Sequence, residues 1–180
     1  AREADTWQLA GIVPGARVAD IGCGPGALLP ALSTAVGPTG SVAALDGDEE
    51  AVGVARGLVE GSGLGNVTVR QGRAEQTGFD EGSFDAVMIR HVLAHNGGTA
   101  QQIVQHLATL VRPGGAVLLV DVDVTAMRLR PQDGAVTELL AAYQRFQLER
   151  GAALELGLHL DDLLRGAHLE VLSYLGLTDV

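Results

Sequence analysis

Apolar residues in this chain fall into short blocks separated by glycine-rich breaks, and the blocks alternate between two periods. Ala16 to Ile21 (ARVADI), Ser41 to Leu45 (SVAAL), Asn66 to Gln71 (NVTVRQ), Phe84 to Ile89 (FDAVMI) and Ala116 to Val122 (AVLLVDV) are short, apolar or β-branched, and closed by turn residues. They read as strands. Residues 3–12, Ala27 to Val36, Glu49 to Glu60 and Thr99 to Leu110 carry apolar residues at helical spacing. Asp48 is placed to cap the third of these helices, and Pro30 falls in the first turn of the second, where a missing N–H costs little. Strands alternate with helices, and the connections are too long for hairpins. The pattern predicts an α/β fold: a Rossmann-like, doubly wound, mostly parallel sheet with helices on both faces.

The last third is different. A helix is expected over Asp133 to Glu149, with Val136, Leu139, Leu140, Tyr143 and Phe146 at helical spacing. A shorter helix over Leu158 to Arg165 and a sixth strand over His168 to Leu175 (HLEVLSYL) follow. No composition shift marks a boundary, so residues 1–180 read as a single domain. Residues 126–157 form a helical insert, a candidate lid over a substrate.

Composition narrows the chemistry. The net charge of −10 repels a phosphate backbone, which counts against nucleic acid as partner. No apolar run approaches a membrane span, so no membrane partner and a cytoplasmic location are expected. Cys23 is the single cysteine, which excludes an internal disulfide and a cysteine-rich zinc module. All 12 cations of the Lys+Arg set are arginines. Schiff-base and P-loop lysines are therefore excluded.

The informative stretch is Val18-Ala19-Asp20-Ile21-Gly22-Cys23-Gly24-Pro25-Gly26, where a strand enters and a helix leaves. Glycines let the backbone turn sharply and a ligand approach closely. The spacing is G-x-G-x-G and not the G-x-G-x-x-G of dinucleotide sites. Asp20 would repel phosphate but suits an ammonium group. Asp46 ends the next strand, where a carboxylate can take both hydroxyls of a ribose. Together these describe a nucleoside with a cationic amino-acid tail.

The chain resembles the class I S-adenosylmethionine-dependent methyltransferases, the small-molecule branch grouped with ubiquinone and menaquinone biosynthesis enzymes. VADIGCGPG is similar to that family's first motif, and Asp46 lies where its ribose-binding acid lies. Gly72-Arg73-Ala74-Glu75 is similar to its third motif, usually Gly-Asp-Ala-Glu. Gly82-Ser83-Phe84-Asp85-Ala86-Val87 with Arg90-His91-Val92-Leu93-Ala94-His95, and then Leu110 to Gly115, resemble the fourth and fifth. The resemblance implies S-adenosylmethionine as cofactor and a small-molecule methyl acceptor as partner. It places the backbone of Gly22, Cys23 and Gly24, with Gly26 closing the loop, near the methionine carboxylate and sugar. It puts Asp20 at the ammonium, Asp46 on the ribose, Gly47 and the N–H of Ala74 at adenine, and the Arg90 carbonyl at the amine. Arg73 departs from the motif, because an arginine has only donors and cannot accept from the adenine amino group. Glu75 or Gln76 is then the alternative acceptor. The family fold carries a seventh strand antiparallel to the sixth. The chain has no room for it after Val180, so the expected sheet lacks that strand, and its open edge suits a homodimer.

Methyl transfer from a sulfonium is an in-line displacement in which the protein positions and desolvates the nucleophile. His91 and His95 are the candidate bases; four apart, they share a face if the turn is helical. No third ligand accompanies them, so no metal is expected. Asp121 and Asp123 read as a solvated strand end, Trp7 as core, Cys23 as fitted and unreactive, and Tyr143 and Phe146 as core or pocket lining. Two other readings stand beside the enzyme. One is a non-catalytic or truncated cofactor-binding or interaction module, favoured by Arg73. The other is an NAD-dependent oxidoreductase, against which the glycine spacing and Asp20 count.

Overall fold

The computed structural model describes residues 2–125 and 133–176. Helix α1 (Arg2–Leu9) leads into β1 (Arg17–Ile21), α2 (Leu29–Val36), β2 (Ser41–Asp46), α3 (Glu49–Gly61) and β3 (Val67–Gln71). Then come β4 (Phe84–Arg90), α4 (Ala100–Leu110), β5 (Val111–Val120), α5 (Gly134–Glu149) and α6 (Leu160–Gly166). The five strands form one parallel sheet in the order β3-β2-β1-β4-β5. This is the doubly wound arrangement that the alternation of periods predicts.

Sequence alternation decides which helices cover which face. Successive strand residues point to opposite sides. Val18, Val42, Ala44, Ala86 and Met88 pack with Leu29, Leu32 and Val36 of α2 and Ala55 of α3. Their neighbours Ala19, Ile21, Leu45, Val87 and Ile89 pack with Ile103, Val104, Leu107 and Leu110 of α4 and Leu160 of α6. Each face therefore has its own apolar layer, and β1 at the centre is buried from Val18 to Ile21. Truncating a fully buried leucine such as Leu107 to alanine costs roughly 2–5 kcal/mol.

Local chemistry sets several boundaries. The Asp48 carboxylate accepts from the N–H groups of Glu50 and Ala51, the expected cap of α3. Asp133 caps α5 the same way through Ala135 and Val136. Strand β5 starts earlier than its apolar run suggests. Its pairing with β4 jumps from Phe84↔Val111 to Ala86↔Ala116, so residues 112–115 bulge out of the ladder.

Two expectations for the last third are corrected. Residues 169–176 form no strand, and Leu172, Tyr174 and Leu175 are exposed. An alternating pattern becomes a strand only when a ladder partner satisfies its backbone, and among the described residues none pairs with this segment. Tyr143 and Phe146 are neither core nor pocket lining: both stand exposed on α5, which buries no side chain fully. Residues 126–132 of the insert lie outside the described residues.

Candidate functional site

Strands β1, β2 and β4 end at the same edge of the sheet, and the loops leaving them converge there. The turn after β1 is hung on β2: the N–H groups of Gly22 and Cys23 both donate to the Leu45 carbonyl, at 2.7 and 3.1 Å. The three glycines have different reasons to be there. Gly22 has φ +77°, and a Cβ on it would sit 2.2 Å from Val92 Cγ2. Gly26 has φ +88°, and its Cβ would press on Leu29 and Ala55. Gly24, at φ +54°, would point a Cβ into open space. Gly22 and Gly26 are thus packing glycines, while Gly24 leaves room on the site side.

Asp46 holds that room in shape. Its Oδ2 accepts the Gly24 N–H at 2.7 Å and its Oδ1 accepts the Asp48 N–H at 2.9 Å. Each oxygen keeps a second lone pair for a ligand hydroxyl. The Asp46 carbonyl accepts from Gly72 at 2.9 Å, which joins the loop after β3 to the same point. Gln71 reaches the Gly47 carbonyl at 3.3 Å.

Asp20 lies beneath this loop at 3% exposure. Its carboxylate accepts no hydrogen bond from the described residues. Burial pushes its pKa up to about 7, against the pull of the Arg90 cation and with a further push from Asp46. A buried carboxylate of this kind calls for a positive partner, and within the described residues the Arg90 cation supplies that pull. Cys23 is no nucleophile: burial, helped by the charges of Asp20 and Asp46, pushes its thiol up to about 12.

The remaining candidates are less concentrated. Ala74 sits in the turn closed by the Gln76 N–H on the Arg73 carbonyl. Arg73 points outward, with a side chain 80% exposed that pairs with Glu75 at 3.4 Å. His91 and His95 do not share a helical face. His91 has φ +55°, which breaks any helix through it, and His95 follows in a short 3-10 helix, Ala94–Asn96. Both are exposed. Asp121 is not a solvated strand end: its carboxylate accepts the N–H groups of Ala94 and Val122, both at 2.9 Å, and pins the turn that carries His95. Trp7 packs against the α2 face of the core, as expected.

A model of the methyltransferase domain family matches residues 18–115, just over half of the chain. The chain belongs to that family. It is a methyltransferase-domain protein. It is similar to demethylmenaquinone methyltransferases, 30% identical to that of Bacillus cytotoxicus over 68% of this chain and 52% of that one. With the one from Shouchella clausii it shares 32% identity over 65% of this chain and 49% of that one. The chain spans about half the length of these curated relatives. Among solved structures, a SAM-dependent methyltransferase from Aquifex aeolicus has the same fold, with a TM-score of 0.69 at 21% identity over 91% of this chain and 77% of that one. The arsenic(III) S-adenosylmethionine methyltransferase of Chlamydomonas reinhardtii matches with a TM-score of 0.61 and 26% identity, over 87% of this chain and 51% of that one.

The site of this methyltransferase-domain protein fits S-adenosylmethionine on its own chemistry. Among the described residues Asp20 accepts no hydrogen bond, each Asp46 oxygen keeps a spare lone pair and Gly24 opens on free space, a set whose chemistry suits an ammonium, a diol and a backbone-hugging tail. The matched segment ends before α5. Beyond it, α5 and residues 153–159 frame a groove of about 660 Å³, lined by Ala141, Leu148, Leu154, Arg145 and His159. The 153–157 stretch is tied to the ends of β4 and β5 through Ala153 N–H on the Ala94 carbonyl and Gly157 N–H on the Val122 carbonyl. Sequence reading missed one pair: Thr77, just past the third motif, and His106 on α4, which meet at 3.0 Å. The sequence carries little signal for it: Thr77 stands in a mostly polar turn, Gly72 to Asp80, and His106 is a half-buried residue beside the apolar stripe of α4.

Proposed function

We propose that this protein transfers a methyl group from S-adenosylmethionine to a small-molecule acceptor by in-line displacement. When bound, S-adenosylmethionine supplies the activated methyl. Asp20 holds the amino-acid ammonium, with the Arg90 carbonyl beside it. Asp46 takes the ribose hydroxyls while fixing the Gly24 N–H, and Ala74 and Gly47 line the adenine. The described part of the insert, residues 133–157, is tied to the ends of β4 and β5 and stands where it would cover the acceptor and exclude water, so the protein contributes position and desolvation. His91 and His95 stand at the same edge, where a base would serve a hydroxyl acceptor. This reading sets the protein in the cytoplasm as one cofactor-binding domain. Among the described residues β5 is an edge strand of the sheet, and open backbone groups there suit pairing with a second copy.

One observation carries the reading: a buried, donor-free Asp20 directly under the loop that Asp46 grips at Gly24. Calorimetric titration of S-adenosylhomocysteine, with NAD as control, tests it. Micromolar binding that is lost in Asp46→Ala and absent for NAD supports it; no binding by well-folded protein overturns it. A non-catalytic cofactor-binding module is the second reading, favoured by the outward-pointing Arg73 and the exposure of both histidines. Cofactor turnover upon addition of small hydroxyl, amine and activated-carbon acceptors separates the two.

A further inference from the structure

Thr77 and Asp20 are the two buried polar residues among those described. Asp20 belongs to the cofactor site, whereas Thr77 lies on the far side of the adenine turn and is held from another layer of the fold. Its N–H donates to His106 Nε2 at 3.1 Å, and its hydroxyl lies 3.0 Å from the same nitrogen. The hydroxyl oxygen accepts the Phe79 N–H at 3.3 Å, and the Thr77 carbonyl accepts from Arg70 at 3.0 Å. Arg70 also stacks on Phe79, 3.8 Å from the ring centroid. Every polar atom of Thr77 is therefore engaged, and His106 is the one partner supplied by α4.

The segment from Gly72 to Thr77 is short and clamped at both ends. Gly72 donates to the Asp46 carbonyl at 2.9 Å, and Gln76 closes the turn on Arg73 at 3.1 Å. Ala74 lies between these clamps. We propose that His106 is a positioning residue for the cofactor: through Thr77 it sets the adenine turn, and a proton on its imidazole releases that turn and weakens cofactor binding. This rests on the S-adenosylmethionine reading of the site.

The chemistry is that of an acceptor turned into a donor. Nε2 can take the Thr77 N–H only while it carries a lone pair, that is, in the neutral imidazole with its proton on Nδ1. In the imidazolium both ring nitrogens donate: Nε2–H keeps the Thr77 hydroxyl oxygen, 3.0 Å away, as an acceptor, but the Thr77 N–H loses its own and faces another N–H across a half-buried contact. The ionisable groups facing this contact are Arg70 of β3 and Glu81 of the following turn. Burial holds the His106 pKa below the ordinary histidine value, with Glu81 pulling the other way. A histidine depressed in this way contributes its contact fully above the ordinary value, and the contact is lost as pH falls through the lower one.

The test is S-adenosylhomocysteine affinity by calorimetry from pH 8 to pH 5 on the wild-type chain, His106→Gln and His106→Leu, with circular dichroism as the fold check. Glutamine keeps an acceptor that does not titrate, so His106→Gln binds near wild type at pH 8. Leucine leaves the Thr77 N–H unpaired, and affinity drops on the order of tenfold. Asp20 also titrates in this range, so the readout is the difference between the wild-type and His106→Gln profiles. By reciprocity, adding ligand lowers the titration midpoint of the one imidazole NMR signal missing in His106→Gln, by one unit for each roughly tenfold coupling. Parallel profiles for wild type and His106→Gln, or a midpoint that ignores ligand, overturn the proposal. Absence of binding at pH 8 in all three proteins instead sinks the cofactor reading on which it rests.

Discussion

The carboxylate of Asp46 and the backbone N–H of Gly24 meet at 2.7 Å, so the end of β2 holds the middle of the loop that leaves β1. The same carboxylate holds Asp48, the cap of α3. One side chain thus couples two loops and a helix start to the place where a ribose would lie. Replacing Asp46 with alanine removes two charge-assisted hydrogen bonds. Stability is expected to fall by about 1–3 kcal/mol and S-adenosylhomocysteine affinity by at least about tenfold. Thermal denaturation and calorimetry read these separately, and a variant that is less stable but binds as wild type would refute the ribose role.

Gly22 and Gly24 share a motif but differ in what a side chain would meet. Gly22→Ala drives a methyl into Val92 at a left-handed position, and a loss of about 2 kcal/mol or more is expected, read as a fall in Tm of roughly 4–8 °C. Gly24→Ala meets nothing. Its cost is only the roughly 1–2 kcal/mol of left-handed strain. Ligand affinity should nevertheless drop sharply, because the methyl occupies the open space. Equal losses of stability in the two variants would show that Gly24 is structural as well.

Asp20 gives a pH signature. Its pKa rises from the ordinary aspartate value to about 7 in the folded chain, so the folded state binds the proton more tightly than the unfolded one. Its burial costs nothing at acid pH, and stability is lost as pH climbs through the window between the two values. Asp20→Asn should therefore be more stable than wild type at pH 8, by a few kcal/mol. It should also bind S-adenosylhomocysteine much more weakly, since no charge faces the ammonium. Binding to wild type at pH 6 should release protons, measurable as a dependence of the binding enthalpy on buffer ionisation heat. An enthalpy independent of buffer would exclude Asp20 as the ammonium partner.

Arg73 stands where the resembled motif has an aspartate. Its exposed pair with Glu75 contributes little to stability. Arg73→Asp should leave Tm within about 2 °C and tighten S-adenosylhomocysteine several-fold by adding an acceptor for the adenine amino group. Unchanged or weaker binding would mean that another group, Glu75 or Gln76, already fills that place.

The five strands, the helices between them and the cap at Asp48 were legible because each depends on neighbours in the chain: period, breakers and a side chain reaching its own next turn. The candidate site was legible as a set of residues, since Asp20, the glycines and Asp46 occur at fixed offsets from strand ends. Their division of labour was not. Nothing in the spacing distinguishes Gly22, shaped by Val92, from Gly24, shaped by the site. The sixth strand failed for a related reason: HLEVLSYL alternates well, but a strand needs a ladder partner that its own sequence cannot supply. His91 and His95 looked paired at helical spacing until the left-handed His91 broke the turn between them.

By itself the sequence determined the parallel α/β sheet, the glycine turn after β1, the acid ending β2 and the likeness to one enzyme family, because period and spacing are local properties of the chain. The tertiary structure alone decided that Asp20 is buried with no donor among the described residues, that Asp46 grips Gly24, that Asp121 pins the turn before α4 and that His106 reaches Thr77. Each of these depends on which segments the sheet order brings side by side, across separations of 22 to 29 residues for the three hydrogen-bonded contacts, and packing sets that order.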